Sequence, residues 1–168
     1  LDTSCGSGGF LLHALDKVRR AAREFYEWEE GEEETVECHN QWHDFAKYNL
    51  YGIEINEQIS RTAKMNMIIH DDGHTNVVTS DGLISPCDLR EKTGNREFKE
   101  NSFDYIITNP PFGSTIKQTE KAYLHQYKLA TKDVDWLNPN SKASDRPSQS
   151  TEVLFIEQAE RYLREGGY

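Results

Sequence analysis

Three short apolar runs, at residues 50–55, 76–80 and 103–108, alternate with segments whose apolar residues recur every three or four positions. That alternation constrains the fold more than any single residue. Strands this continuously apolar are buried on both faces, and helices on either side of a parallel sheet are the usual way to bury them. The order is turn, helix, strand, helix, strand, connection, strand, loop, helix. It predicts an α/β domain with a doubly wound, mostly parallel sheet. In such sheets ligands bind beyond the carboxyl ends of the strands.

The helical segments have definite faces. After a turn at residues 3–8, Leu11, Ala14, Leu15, Val18, Ala22 and Phe25 form one stripe. This helix dissolves into a Glu-rich run around Gly31, and residues 45–50 lead into the first apolar run. Asn56 reads as an N-cap for a helix from residue 57 to about residue 70, with Ile59, Ala63 and Met67 on one face and Asp72-Gly73 closing it. Residues 85–101 read as a polar connection. Residues 113–150, rich in Ser, Thr, Lys, Gln and Asn, read as a mobile loop or insertion. The last helix is expected over residues 151–164, with Val153, Ile156, Ala159 and Leu163 inward. There is no internal repeat.

A chain of 168 residues can bury one sizeable core. Its mean hydropathy of −0.81 is low, and no apolar stretch approaches a membrane span or a signal peptide. Cys5, Cys38 and Cys87 are scattered and odd in number, which points to a reducing, cytoplasmic setting. The net charge is −10, and residues 24–37 hold eight Glu with no Lys, Arg or Asp, leaving −2 for the remainder. If the substrate is DNA, that run must lie away from the phosphates, or another subunit must supply the basic surface. The chain starts at Leu1-Asp2, on the Gly-rich turn itself, and ends at Gly166-Gly167-Tyr168. A single partial domain, residues 1–168, truncated at both ends and inactive alone, is the expectation.

Candidate functional residues fall at the strand ends. In Asp2-Thr3-Ser4-Cys5-Gly6-Ser7-Gly8-Gly9-Phe10, glycines let the backbone pass close to a ligand. The acidic residue beside them suits an ammonium group, such as the amino-acid end of S-adenosylmethionine, better than a pyrophosphate. Glu54 can accept from ribose hydroxyls, although the usual spacing from the glycine turn is about 20 residues and here it is longer. Ile55 can pack on an adenine ring. Asp81, followed by Gly82 and Leu83, can accept from an adenine amino group. The plain alternatives are a strand-terminal carboxylate at 54 and an Asp-Gly turn at 81.

The last strand ends in Asn109-Pro110-Pro111-Phe112. Each Pro fixes φ and removes a backbone donor, and the residue before a Pro is pushed to extended backbone. The resulting lip offers carbonyls, one side-chain amide and an aromatic face. It suits a planar ring carrying an NH2 group. Asn109 Oδ1 and the Pro110 carbonyl can hold the two amine hydrogens while Phe112 stacks on the ring. With an activated methyl donor, such positioning requires neither a tuned general base nor a metal.

Taken together, Asp-x-x-x-Gly-x-Gly-Gly-Phe, Gly-Ile-Glu-Ile-Asn, Ser-Asp-Gly-Leu and Asn-Pro-Pro-Phe-Gly resemble the DNA adenine N6-methyltransferases, above all the modification subunit of type I restriction–modification systems. Ser148-Gln149-Ser150-Thr151-Glu152-Val153-Leu154-Phe155-Ile156-Glu157 resembles the family's helix after its catalytic loop. The resemblance implies a Rossmann-like, S-adenosylmethionine-dependent methyltransferase fold. It implies catalytic roles for Asn109, Pro110, Pro111 and Phe112. Cofactor contacts are implied at Asp2, Ser4, Cys5, Gly6, Ser7, Gly8, Phe10, Glu54, Ile55, Asp81, Gly82, Leu83 and Asn109. The implied partners are double-stranded DNA with the adenine flipped out, a specificity subunit and a further restriction subunit. The implied setting is a bacterial or archaeal cytoplasm. Family members commonly have Pro after the first Asp, where this chain has Thr3, a departure expected to matter little to the ligand.

Other readings keep the lip and change the substrate: protein glutamine, an RNA amine, or cytosine N4. Another class makes the chain an inactive cofactor-binding or assembly fragment. Two clusters, Cys38/His39/His43 and His70/Asp71/Asp72/His74, lack paired metal-ligand spacing and are read as polar surface. Trp28, Trp42 and Trp136 are expected to pack locally or against further parts of the protein.

Overall fold

The computed structural model of the chain describes residues 1–70, 76–117, 119, 122–132, 137 and 144–168. They divide into two compact units: Leu1–Asp81 with Ile107–Asn109, and Gly82–Ile106 with Pro110–Tyr168.

The first unit starts with the glycine turn and α1, Gly9–Phe25. Leu11, Leu15 and Ala22 are buried and Ala14 and Val18 pack against them, as the stripe predicts. Phe25 does not join them: it is exposed, at the helix end. The Glu-rich run then gives way to α2, Val36–Asn49, where the sequence suggests only an acidic insertion over about residues 24–44. The Thr35 hydroxyl accepts from the Cys38 amide and caps this helix. Cys38, Trp42 and Ala46, four residues apart, are buried in the same cluster as the α1 residues.

Next come β1, Gly52–Glu54, and α3, Glu57–Ile69. Asn56 caps α3 as expected, its side chain accepting from the Gln58 and Ile59 amides. Ala63 and Met67 are buried, but Ser60 takes the place expected for Ile59, which is exposed. The Asp72-Gly73 closure lies outside the described residues. β2, Val77–Thr79, pairs parallel with β1 in the register Gly52↔Val77, Ile53↔Val78, Glu54↔Thr79. Asp2 makes a parallel bridge to Gly52. A Cβ at Gly52 would come within 2.8 Å of Leu11 Cδ1 and 3.0 Å of Cys5 Sγ. The glycine lets the turn and α1 close onto the strand.

The second unit contains α4, Pro86–Thr93, inside the expected polar connection. Its signals are all local: the Ser85 hydroxyl accepts from the Asp88 amide, Pro86 opens the helix and Gly94 ends it at φ 73°. The segment read as a mobile loop also carries structure. It holds β3, Thr115–Lys117, and 3-10 turns at Ala122–Gln126 and Lys128–Ala130. It then holds β4, Thr131–Lys132, β5, Ser144–Asp145, and β6, Ser148–Ser150. β3 pairs antiparallel with β6, and β4 with β5. Leu124, Tyr127 and Ala130 are buried with Leu83, Leu154 and Phe155 in this unit's own core.

The chain's last helix is α5, Thr151–Tyr162. Its buried residues are Thr151, Leu154, Phe155, Glu157, Gln158 and Tyr162, not the expected Val153/Ile156/Ala159/Leu163 stripe, and Ile156 is exposed. Polar residues account for the difference. Gln158 donates to the Ile84 carbonyl at 2.8 Å and accepts from the Tyr127 hydroxyl, so an amide faces inward.

The third apolar run, residues 103–108, is not a regular buried strand. Phe103 bridges Leu163 in parallel, and Tyr168 N donates to Asp104 O at 2.9 Å. Tyr105 and Ile107 are exposed. Among the described residues the regular strands form three two-stranded sheets, one parallel and two antiparallel. The architecture is mixed α/β.

Candidate functional site

In the first unit the glycine turn is held by backbone bonds to β1: Asp2 N donates to Tyr51 O, Ile53 N to Asp2 O and Cys5 N to Ile53 O, each at 2.9 Å. Gly6 and Gly8 have φ of +54° and +87°, a region L side chains rarely enter. The turn therefore carries close-approach backbone where the sequence reading expects it. Ser4 and Gly6 are half-buried, Cys5 and Gly8 are buried, Ser7 is exposed, and Phe10 presents a partly exposed ring.

Two carboxylates are buried at this turn. Asp2 is 1% exposed, and its Oδ1 accepts from the Ser4 amide at 3.1 Å. Burial raises its pKa above the ordinary 3.8, against the Ser4 amide and the Thr108 hydroxyl, while Glu54 adds to the rise. Glu54 is 8% exposed, and both its oxygens are engaged. Oε2 accepts from Gly6 N at 2.9 Å and Oε1 from Asn56 N at 2.8 Å. A carboxylate has about four lone-pair sites, so Glu54 is oriented and still able to accept from a hydroxyl. Ile55 beside it is exposed. Asp81, at the end of this unit, is half-buried. Burial pushes the Cys5 thiol up to about 12, with Asp2 and Glu54 adding to it, so it is an inert neighbour.

Sequence reasoning passed over Thr108 and undervalued Thr3. Thr3 is fully buried, and its hydroxyl donates to Thr108 Oγ1 at 3.1 Å. Ser4 Oγ lies 2.9 Å from the same oxygen. The residue immediately before Asn109 is thus tied to the glycine turn by three hydroxyls. Proline at position 3 could make no such bond. The signal available in the sequence was the departure from the family's pattern, matched by a hydroxyl at 108. Asn109 is exposed.

In the second unit Gly82 and Leu83 are buried, Pro110 is half-buried, and Pro111 and Phe112 are exposed. The Phe112 ring is 70% exposed, which leaves an aromatic face open for stacking. After it, Gly113 N donates to Glu152 Oε1 at 2.6 Å and Thr151 Oγ1 donates to Pro111 O at 2.9 Å. The Gly113 amide draws the Glu152 carboxyl below its ordinary range.

The described residues of the remaining candidates make local contacts. His39 and His43 stack with centroids 5.4 Å apart, and Trp42 Nε1 donates to Glu34 Oε2 at 3.1 Å. Among the described residues no group of three or more His, Cys, Asp or Glu is placed to hold a metal. Asp71, Asp72, His74 and Trp136 lie outside the described residues. No described helix is long and apolar enough to cross a membrane.

Comparison with known proteins gives the family of the chain. Residues 1–167 match the family described as N-6 DNA Methylase. The type I restriction enzyme MpnII methylase subunit of Mycoplasma pneumoniae is 29% identical over 146 residues, covering 84% of this chain and 22% of that protein. The type II restriction enzyme and methyltransferase RM.BcgI of Heyndrickxia coagulans is 26% identical over 153 residues, 91% of this chain and 20% of that protein. The type I restriction enzyme EcoEI methylase subunit of Escherichia coli is 28% identical over 118 residues, 68% of this chain and 19% of that protein. The chain spans about a fifth of the length of these relatives.

Proposed function

Because the chain belongs to the N-6 DNA Methylase family, we propose that it is the catalytic core of an enzyme that transfers a methyl group from S-adenosylmethionine to the N6 amino group of adenine in DNA. The observation that carries the reading is the pair of buried carboxylates, Asp2 and Glu54, both bonded to amides of one glycine turn. Burying two acids beside left-handed glycines costs stability, and a ligand rich in N–H and O–H donors offsets that cost.

The residues present fit S-adenosylmethionine. Asp2 would hold its ammonium end, the Gly6–Gly8 turn would leave room for its approach to the backbone, and Glu54 would accept from the ribose hydroxyls. Ile55 and Phe10 offer exposed apolar surface to the adenine ring, and Asp81 accepts from that ring's amino group. Ser4, Cys5 and Ser7 of the same turn, and Gly82 and Leu83, which follow Asp81 in the sequence, are assigned to the cofactor as well. The bound cofactor supplies an activated methyl group and with it the driving force.

The chain supplies position. Asn109 Oδ1 and the Pro110 carbonyl accept the two N–H bonds of the target amine, which turns its lone pair out of the ring. Pro111 keeps the lip rigid, and Phe112 stacks on the base. Such an amine is reachable only when adenine leaves the duplex. Two of these relatives are named as methylase subunits of type I restriction enzymes, which supports work as one subunit of such an enzyme; its expected companions are a specificity subunit and a restriction subunit, in a bacterial or archaeal cytoplasm. The parallel pairing of Asp2, β1 and β2 supports a doubly wound, mostly parallel sheet.

The test uses the whole protein with its specificity partner, labelled S-adenosylmethionine and DNA, followed by nucleoside analysis. Label in N6-methyladenine is expected. Label in protein, RNA or cytosine would overturn the reading. Asn109→Ala should lower transfer by roughly a hundredfold or more, with cofactor binding retained.

A further inference from the structure

Pro110 and Pro111 have no backbone N–H, so the middle of the lip cannot be fixed by donating bonds of its own. Phe112 is largely exposed and gains little from packing. What sets its direction must therefore act on the Pro111 carbonyl and on the amides that follow. The first turn of α5 does this. Thr151 Oγ1 donates to Pro111 O at 2.9 Å and lies 3.2 Å from Ser114 O. Thr151 N donates to Ser114 O at 3.1 Å. Glu152 Oε1 accepts from Gly113 N, whose φ of +72° turns that N–H toward it. Pairing then continues into the sheet, with Thr115 opposite Ser150. Phe112 is thus pinned on both sides, at the carbonyl before it and the amide after it.

We propose that Thr151 and Glu152 are positioning residues for methyl transfer, setting the lip so that Phe112 and the Pro110 carbonyl meet the target base. This rests on the function proposed above. A purely local role would be helix capping. Ser150, at the N-cap position of α5, makes no side-chain capping bond, and the two side chains after it reach residues 37–40 positions earlier. Thr151 is buried, so its hydroxyl is committed to these carbonyls. Misplacing a stacked base by about 1 Å can cost a hundredfold in rate without changing how the cofactor binds.

The experiment compares Thr151→Val and Glu152→Ala with Thr151→Ser and Glu152→Gln, in the whole protein with its specificity partner and DNA. The first pair should lower kcat roughly ten- to hundredfold, with KM for S-adenosylmethionine within about twofold of the unchanged protein. The conservative pair keeps the hydroxyl and the accepting oxygen and should recover most of the rate. Hydrogen exchange should show the Gly113 amide losing protection in Glu152→Ala. If the unchanged protein methylates adenine and Glu152→Ala and Thr151→Val match its kcat, the clamp has no positioning role. A loss of cofactor affinity as large as the loss of kcat would equally overturn it. If the unchanged protein leaves adenine unmethylated, the functional reading falls and takes this one with it.

Discussion

Asp2 is a carboxylate at a position where burial opposes its charge. Its pKa is raised by that burial, against the Ser4 amide and Thr108 hydroxyl that support the ionised form. The folded chain therefore holds this proton more tightly than the unfolded chain. Stability falls as pH rises from the unfolded value of 3.8 through the raised folded value, and the penalty is fully present above it. Asp2→Asn keeps an oxygen for the Ser4 amide and removes the charge. At neutral pH, in the whole protein without cofactor, it should raise the midpoint of the thermal transition of this part by on the order of 2–4 °C, the shift that about 1 kcal/mol produces in a domain of roughly 150–250 residues. The same change should weaken S-adenosylmethionine binding at least tenfold, since a charge-assisted hydrogen bond is worth about 1.5–3 kcal/mol. Thermal melts across pH and equilibrium cofactor binding give both numbers. A variant that is less stable at neutral pH, or that binds the cofactor as well as before, would show that Asp2 is structural. Stability given up at a binding residue is the expected trade at a functional site.

The elements differ in how openly the sequence shows them. α2 holds Trp42, 2% exposed, with the Arg19 guanidinium 4.0 Å from its ring centroid and its N–H on Glu34. Trp42→Ala should cost about 3–5 kcal/mol. Trp28 lies nearer the surface, with its N–H on the Glu32 carbonyl, and Trp28→Ala should cost under about 1 kcal/mol. Limited proteolysis of the whole protein tests the contrast: cleavage within α2 should accelerate far more in the first variant. Equal rates would mean that α2 does not pack on α1 through Trp42. That helix was legible: Thr35 as a cap and Cys38, Trp42 and Ala46 at four-residue spacing were in view, but the Glu run before them masked the start. α4 was masked in the same way, since Ser85, Pro86 and Gly94 are helix signals in a stretch too polar to show a stripe. α3 was read correctly at Asn56 because its cap is a local bond. The α5 face was misread because Gln158 and Glu157 are buried by hydrogen bonds, and periodicity counts only apolar residues. Glu157 accepts from the Lys128 and Leu129 amides at 2.8 and 2.9 Å. The proposed site was easier to read in the sequence than the regular elements, because the residue types at Asp2, Glu54 and the Asn-Pro-Pro-Phe run by themselves suggest the chemistry proposed for them. Thr3, Thr108, Thr151 and Glu152 were not recognised as site residues, because their meaning depends on partners 37 to 105 positions away.

At the scale of the whole molecule, the charge sets a condition on any encounter with DNA. The chain carries −10, and the Glu run supplies most of it. Glu27, Glu29, Glu30, Glu32 and Glu33 are exposed, whereas Glu34 is paired with Arg23 and Trp42. Carboxylates near a phosphate backbone hinder binding and leave a mark on its salt dependence. Each phosphate neutralised by a protein cation contributes about −0.9 to the slope of log K against log salt. If the run lies away from the duplex, replacing Glu29, Glu30, Glu32 and Glu33 by Gln should leave that slope unchanged to within about one unit. Specific affinity at moderate salt should stay within about threefold, since charges beyond a Debye length of roughly 10 Å are screened. Glu34 is left in place so that its bonds to Arg23 and Trp42 survive. Titrating a fluorescent duplex with the whole protein and its specificity partner over a range of salt concentrations measures both quantities. A slope steeper by two or more units would place the acidic run against the DNA. The basic surface that grips the phosphates would then have to overcome it, and the run would act as a brake on non-specific binding. An unchanged slope assigns the grip to surface outside this run.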